Sequence, residues 1–192
     1  MICVGIDIGV SGAIAVLFDS GDVHIEDMPT IVVSGSKTKT EVNPVPLARI
    51  MRTLRAEHKD LHVVAEVVHA FPKQGVVSVF NFGRSAGVTH GILAALQIPY
   101  TLVQPARWKA AIMAGMGKEK EASVVRALQL FPGLESKLIT ERGRKIDGRA
   151  DALLMAYWLQ QELAFGSIKP SMVVGLPPSV PDEEDEEELE LI

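Results

Sequence analysis

Two carboxylates interrupt the most apolar runs of the sequence, and they restrict the folds that the chain can adopt. Asp7 lies within residues 2–8 and Glu66 within residues 63–68, where every other residue is aliphatic, cysteine or glycine. A carboxylate inside a strand is costly to bury unless it is paired or binds a metal. If the two runs are neighbouring strands with the acids near their C-terminal ends, one shared site explains both. A core acid held by a salt bridge or hydrogen bond is the alternative for each.

The order of apolar runs and turns predicts an α/β fold. Runs 2–8, 13–18 and 23–28 are separated by glycine-containing turns, which indicates a three-stranded meander. The polar stretch 34–40 predicts that residues 29–42 form a mobile loop, and Asn43 is suited to cap a helix ending near His58. The remaining elements are a fourth strand (62–68), a helix (76–97), a fifth strand (100–103), helical segments from 105 and a final helix (147–164). This order is that of a ribonuclease-H-like mixed five-stranded sheet flanked by helices.

Length and charge predict one domain and a tail of opposite charge. The 192 residues suffice for a single sizeable core, and we expect it in residues 1–165. Residues 166–192 contain prolines and then an acidic run, a composition expected to stay disordered. Eight of the 24 acidic residues lie between Asp182 and Glu190, which leaves 16 acids against 19 Lys and Arg. The folded part is therefore mildly basic, although the whole chain carries a formal charge of -5.

Cysteine usage and hydropathy predict a protein of a reducing cytoplasm. Cys3 is the only cysteine, so no intrachain disulfide can form. The sequence shows no signal peptide and no apolar window long enough to suggest a membrane span.

A second pair of acids opens the final helix. Asp147 and Asp151 are four residues apart, so their side chains share one helix face, where like charges repel unless a cation lies between them. The alternative is that they only favour the helix dipole, with Asp147 as an N-cap. Four carboxylates without a His or Cys cluster favour Mg²⁺, with Mn²⁺ as a substitute. Two such ions can hydrolyse a phosphodiester.

The motifs of the chain resemble those of the RuvC-type Holliday junction resolvases, and especially of their phage-borne relatives. The resemblance covers about residues 1–160 in the same motif order. It rests on residues 4–13 (VGIDIGVSGA), Ala65-Glu66, 72–75 (PKQG), 80–85 (FNFGRS), Pro105 with Trp108-Lys109, 120–123 (KEAS) and 147–154 (DGRADALL). It implies a homodimeric endonuclease of bacterial or phage-infected cells that nicks four-way DNA junctions symmetrically with Mg²⁺. Other branched DNA is a further candidate substrate.

By motif position, the resemblance implies a role for each acid. Asp7 matches the central metal bridge, Glu66 the second ligand, and Asp147 with Asp151 the helix pair, of which Asp151 matches the family's second helix acid. The helix acids of bacterial relatives are often three residues apart, whereas here they are four apart. Lys120 matches a basic position of the catalytic site.

DNA contacts follow from the same resemblance and from charge. Basic residues that can bind the DNA backbone without reading sequence are Lys73, Arg84, Lys109, Lys120 and Arg149. Bacterial relatives place an aromatic residue after the second acid to probe the junction core. Here that position holds His69, so Phe71 is the candidate for insertion. Solvated surface lysines and a core phenylalanine are the alternatives.

Three further interpretations remain open. Gly83, Ala86, Gly87 and Gly91 allow close helix packing, either in a dimer or on the chain's own sheet. Residues 5–9 (GIDIG) also resemble the phosphate loop of the actin and sugar-kinase fold, for which this chain is too short. The acids are also compatible with a ribonuclease-H-like enzyme that acts on RNA-containing substrates, or with a non-catalytic junction-binding protein.

Overall fold

A mixed six-stranded sheet forms the centre of the protein. The computed structural model describes residues 1–34, 39–70, 73–117, 119, 121–168 and 173–174. The sheet strands are β1 (Ile2–Ile6), β2 (Ala13–Phe18), β3 (Val23–Asp27), β6 (Leu61–Glu66), β7 (Tyr100–Val103) and β8 (Val173–Val174), in the spatial order β3-β2-β1-β6-β7-β8. The first three strands are an antiparallel meander, β6 and β7 run parallel to β1, and β8 is antiparallel to β7. This confirms the predicted fold class. The sixth strand comes from a segment that we expected to lie in the tail.

A small hairpin replaces most of the loop that the sequence predicted at 29–42. Strands β4 (Thr30–Val33) and β5 (Lys39–Val42) pair antiparallel in a separate two-stranded sheet. The loop prediction was wrong for these residues because it gave weight to the polar stretch 34–40. It overlooked the adjacent β-branched run 30–33, which has a high strand propensity. Residues 35–38 lie outside the described part.

The helices begin and end close to where the sequence signals placed them. Asn43 caps the first helix, since its Oδ1 accepts a hydrogen bond from the Val45 N–H at 3.2 Å. The helices are α1 (Pro44–Glu57), α2 (Val76–Ala95), α3 (Pro105–Ile112), α4 (Ala122–Leu130), α5 (Glu135–Leu138) and α6 (Asp147–Ala164). No helix in the described ranges is long and apolar enough to cross a membrane.

The alternation of side chains along β1 divides the core into two layers. Ile2, Val4 and Ile6 point to the layer formed with α1 and α2. Cys3 points to the opposite layer, which α3, α4, α5 and α6 cover. Because side chains alternate along a strand, Gly5 and the position of Asp7 belong to this second layer. The layer is centred on α6, where residues 152–156 are fully buried.

Gly5 permits the contact between α6 and the sheet. A Cβ at this position would lie 2.0 Å from the Ala152 carbonyl oxygen and 2.8 Å from the Ala156 nitrogen. Both are backbone atoms of α6, so no rotamer change can relieve the overlap. The helix therefore rests directly on the β1 backbone, and this fixes the position of its N-terminal end.

We predict that Gly5→Ala destabilises the protein by about 3 kcal/mol, at the upper end of the cost of overpacking a core. Urea unfolding followed by circular dichroism measures this difference. Gly75→Ala is the matched control: the nearest atom to a Cβ there is the Ser78 Oγ at 3.8 Å, so we expect a change below about 1 kcal/mol. Equal stability of the two variants would contradict the close packing of α6 on β1.

Candidate active site

Asp7 and Glu66 lie next to each other at the C-terminal ends of two adjacent parallel strands, β1 and β6. In the β1–β6 pairing Ile6 lies opposite Ala65, and the next residue on each strand is one of the acids. Both side chains point to the α6 layer and both are partly buried. The Asp7 N–H donates to the Ala13 carbonyl at 3.0 Å, which holds the turn after β1 against the start of β2. The shared edge predicted from the two anomalous acids is thus present.

The N-terminal end of α6 lies directly over this turn. A Cβ at Gly148 would be 2.5 Å from the Ser11 carbonyl oxygen and 2.9 Å from the Asp7 Oδ2. A Cβ at Gly12 would lie 2.0 Å from the Asp7 carbonyl oxygen. Only glycines fit here, and they let the positive end of the helix dipole approach the Asp7 carboxylate. Asp147 and Asp151, in the first two turns of α6, are carried to the same place.

The two acids of α6 have oxygens that the described protein atoms do not satisfy. Asp147 Oδ1 and Asp151 Oδ1 are both buried, and neither has a hydrogen-bond partner among the described residues. Asp151 receives a side-chain hydrogen bond from Ser123 of α4. A buried acceptor without a partner costs free energy, so these oxygens indicate a site for an additional electropositive group.

Burial and mutual repulsion raise the pKa values of the clustered acids. Burial, followed by the charges of Asp151 and Glu66, raises the pKa of Asp7 from 3.8 to about 7. Burial raises the pKa of Glu66, against a hydrogen bond from Trp108 and the charge of Lys109. Burial also raises the pKa of Asp151, and the charge of Asp147 adds to this effect. Asp7, Glu66 and Asp151 are therefore electrostatically coupled, and the charge of Asp147 acts on Asp151.

The donor chemistry of this cluster fits a hard divalent cation. Its ligands are all carboxylate oxygens, which Mg²⁺ prefers, and two of these oxygens lack a partner in the described part of the chain. Within the described ranges, no three His, Cys, Asp or Glu side chains already stand in a metal-binding arrangement. The fit thus rests on the kind and burial of the donors.

Lys109 is a predicted basic residue whose charge acts on three of the acids. Its positive charge lowers the pKa values of Asp7, Glu66 and Asp151, and its Nζ lies 5.0 Å from the centre of the Trp108 ring. An exposed cation at this position can bind a phosphate next to the carboxylates.

The other predicted DNA contacts lie in different surroundings. Arg149 binds both carboxylate oxygens of Asp27, at 2.6 and 2.8 Å, and the Lys137 carbonyl at 2.7 Å. Arg84 is paired with Glu41 of the hairpin, and Lys73 is exposed in the segment before α2. Phe71 and Lys120 lie outside the described residues. For all five of these residues, contact with DNA remains a prediction.

The sequence did not identify Trp108 and Ser123 as site residues. The Trp108 Nε1 donates to the Glu66 Oε1 at 2.6 Å, and the Ser123 side chain bonds Asp151. Their signal was only that both stand in the motifs shared with the resolvases. Which acid each contacts depends on how α3 and α4 pack, which sequence spacing does not specify.

We predict that Asp7→Asn stabilises the metal-free protein at pH 8 by on the order of 3 kcal/mol. The pKa of Asp7 is higher in the folded state than its ordinary value. Between about pH 4 and 7, Asp7 is therefore protonated in the folded protein but ionised in the unfolded chain. For this reason the free energy of unfolding of the wild type falls as pH rises through that window. Asparagine removes this penalty, so the difference should vanish below about pH 4. Urea unfolding in EDTA across pH measures it, and a destabilised variant at pH 8 would contradict the prediction.

Comparisons with known proteins support the resemblance seen in the motifs. No family model matches the chain. It is 34% identical over 98 residues, or 51% of its length, to the chloroplastic Holliday junction resolvase MOC1 of Chlamydomonas reinhardtii. Those residues cover 11% of that relative, so the chain spans about a tenth of its length.

Two solved structures share the fold. The structure of T. thermophilus RuvC in complex with a Holliday junction substrate matches with a TM-score of 0.56 at 14% identity, over 88% of this chain and 99% of that one. A second Thermus thermophilus RuvC structure matches with a TM-score of 0.54 at 15% identity, over the same shares. The chain thus has the ribonuclease-H-like fold of RuvC, and in part of its sequence it is similar to the Holliday junction resolvase MOC1.

Proposed function

We propose that the protein is a divalent-metal-dependent, structure-selective DNA endonuclease that nicks four-way junctions. The observation that carries this proposal is the group of Asp7, Glu66, Asp147 and Asp151, in which Asp151 and Glu66 repel Asp7, and Asp147 repels Asp151. The names of the similar proteins, MOC1 and RuvC, both refer to Holliday junctions. All four acids lie within residues 1–165, which we propose as the nuclease domain.

The four acids would hold the metal, and they come from three elements of the fold. Asp7 follows β1, Glu66 ends β6, and Asp147 and Asp151 lie on α6. When bound, a pair of Mg²⁺ ions activates a water and stabilises the charge that develops on the phosphate. Lys109 would bind a phosphate oxygen beside the acids.

A basic loop next to Asp147 supports DNA as the substrate. Arg144 and Lys145 line a surface cavity of about 440 Å³ together with Ser11, Glu121, Ile146, Asp147 and Gly148. Lys145 is paired with Glu121 at 2.6 Å, whereas Arg144 is exposed. Exposed basic side chains such as Arg144 can bind phosphates of the DNA backbone, which positions the DNA without reading its sequence. We propose that Lys120 also binds the backbone and that Phe71 enters the junction.

The exposed face of α2 supports a homodimer. Val76 and Phe80 are 84% and 68% exposed, and a Cβ at Gly83, Gly87 or Gly91 would meet nothing within 4 Å. These five residues follow helical spacing and form one face, which we call the glycine face. The buried residues of α2, which lie on another side of the helix, are Ser85, Ala86, Thr89 and Leu93. A second helix can therefore approach the glycine face closely, and two active sites would cut the junction symmetrically.

We predict that the wild-type protein with Mg²⁺ nicks a labelled four-way DNA junction symmetrically, and that Asp7→Asn reduces the cleavage rate at least about a hundredfold. The reason is that a neutral amide would hold the divalent cations much more weakly than the Asp7 carboxylate. Binding of the junction to the variant in Ca²⁺, measured by gel shift, should be retained.

Asp22→Asn is the control, because it changes an exposed turn carboxylate that bonds Ser20. Duplex DNA and an RNA–DNA hybrid are tested in parallel. Cleavage of the hybrid alone would replace the proposed function with a ribonuclease-H-like activity. Junction binding without cleavage in any metal would indicate a non-catalytic binding protein.

We predict that Gly87→Arg converts the dimer to a monomer, because the long side chain prevents close approach of a second α2. The open space at Gly87 means that the fold of the single chain should be retained. Light scattering after size exclusion measures the mass. Ser78→Arg is the control, since this residue is also exposed on α2 but lies on the opposite side of the helix from the glycine face. A monomeric wild-type protein would refute the dimer.

A further inference from the structure

We propose that Trp108 is a positioning residue, whose indole N–H sets the orientation of the Glu66 carboxylate for metal binding. The inference rests on the proposed function in one respect, that Glu66 is a ligand of the divalent cation. It assigns to Trp108 a role that depends on hydrogen-bond donation, beyond filling the core.

The short connection between β7 and α3 places the Trp108 indole next to Glu66. Glu66 ends β6 and is paired with Val103, which ends the neighbouring strand β7. Helix α3 begins two residues later at Pro105, so its first turn stands over the same sheet edge. Trp108 is completely buried there, in the core layer that includes Val64, Val103 and Leu154. Its ring is therefore locked in place, and its N–H has a fixed direction.

The hydrogen bond restricts a side chain that would otherwise be mobile. A glutamate has three rotatable side-chain bonds, and Glu66 is only partly buried. The Trp108 Nε1 lies 2.6 Å from the Glu66 Oε1, the length of a strong charge-assisted hydrogen bond. With Oε1 held by the indole, the carboxylate plane is fixed and Oε2 remains available to a cation. Groups that orient metal ligands in this way commonly change metal affinity by about 10–100-fold when removed.

The second tryptophan provides a matched control. The sequence contains two tryptophans, and Trp158 is also buried, on α6. Its Nε1 has no hydrogen-bond partner among the described residues. Trp108→Phe and Trp158→Phe therefore remove the same group from the same core layer. The first variant loses a hydrogen bond to a proposed metal ligand, and the second does not.

The experiment compares Mg²⁺ binding and Mg²⁺-dependent junction cleavage in the two variants. We expect Trp108→Phe to weaken Mg²⁺ binding, measured by calorimetry without DNA, by about tenfold or more. The Mg²⁺ concentration for half-maximal cleavage should rise by a similar factor. Trp158→Phe should match the wild type in both. In the background of Glu66→Ala, adding Trp108→Phe should have no further effect on Mg²⁺ binding, because the indole acts through Glu66.

Nuclear magnetic resonance of the two indole N–H groups tests the contact without relying on the fold of Trp108→Phe. Trp158→Phe assigns the signals. The Trp108 signal should shift on Mg²⁺ addition and on Glu66→Ala, while the Trp158 signal should not.

The inference would be overturned if a folded Trp108→Phe variant bound Mg²⁺ as tightly as the wild type. It would also be overturned if the Trp108 signal shifted neither on Mg²⁺ addition nor in Glu66→Ala. Either result would leave the proposed function, junction cleavage by the wild type, unaffected. If the wild type binds Mg²⁺ but cuts no junction, the proposed function fails while the indole's effect on Mg²⁺ affinity still decides this inference.

Discussion

The direct contact between α6 and the backbone of β1 is the constraint on which the arrangement of this protein depends. At Gly5 the helix touches the strand without an intervening side chain, and at Gly148 the N-terminal end of the helix lies directly against Ser11 and Asp7. A helix is rigid over 18 residues, so contact in the middle determines where both of its ends lie. The acids Asp147 and Asp151 reach Asp7 because glycine removes the spacing that side chains would impose.

This geometry stabilises the fold through packing and destabilises it through charge. Aliphatic side chains fill both faces of the sheet, while burial and neighbouring negative charges raise the pKa values of Asp7, Glu66 and Asp151. The protein therefore gives up some stability at neutral pH in order to keep several carboxylates in one partly buried place. A site that needs a cation to become favourable is also one that binds the cation strongly, because binding removes the repulsion. Stability and proposed activity thus depend on the same four side chains.

Local signals in the sequence predicted most of the architecture, and contacts between distant residues account for what they did not. Asp7 and Glu66 were identifiable because a charged residue in an apolar strand needs an explanation, and the bounds of α6 followed from its apolar spacing. The hairpin at 30–42 was hidden by its polar connection. Strand β8 has only two residues, too few for a periodic pattern. The pairing of Trp108 with Glu66 spans 42 positions and depends on the packing of α3, so no local pattern reports it.

Strand β8 has a consequence for how the protein can associate. The outer edge of a sheet carries unpaired N–H and C=O groups, and these are a template on which another chain can add a strand. Val173 and Val174 pair with Thr101 and Tyr100, so the chain's own segment occupies part of the edge that β7 would otherwise present. Extension of the sheet from β7 into a neighbouring molecule is thereby obstructed. On this side of the sheet, the outer strand is therefore a segment of only two residues from the protein's own chain.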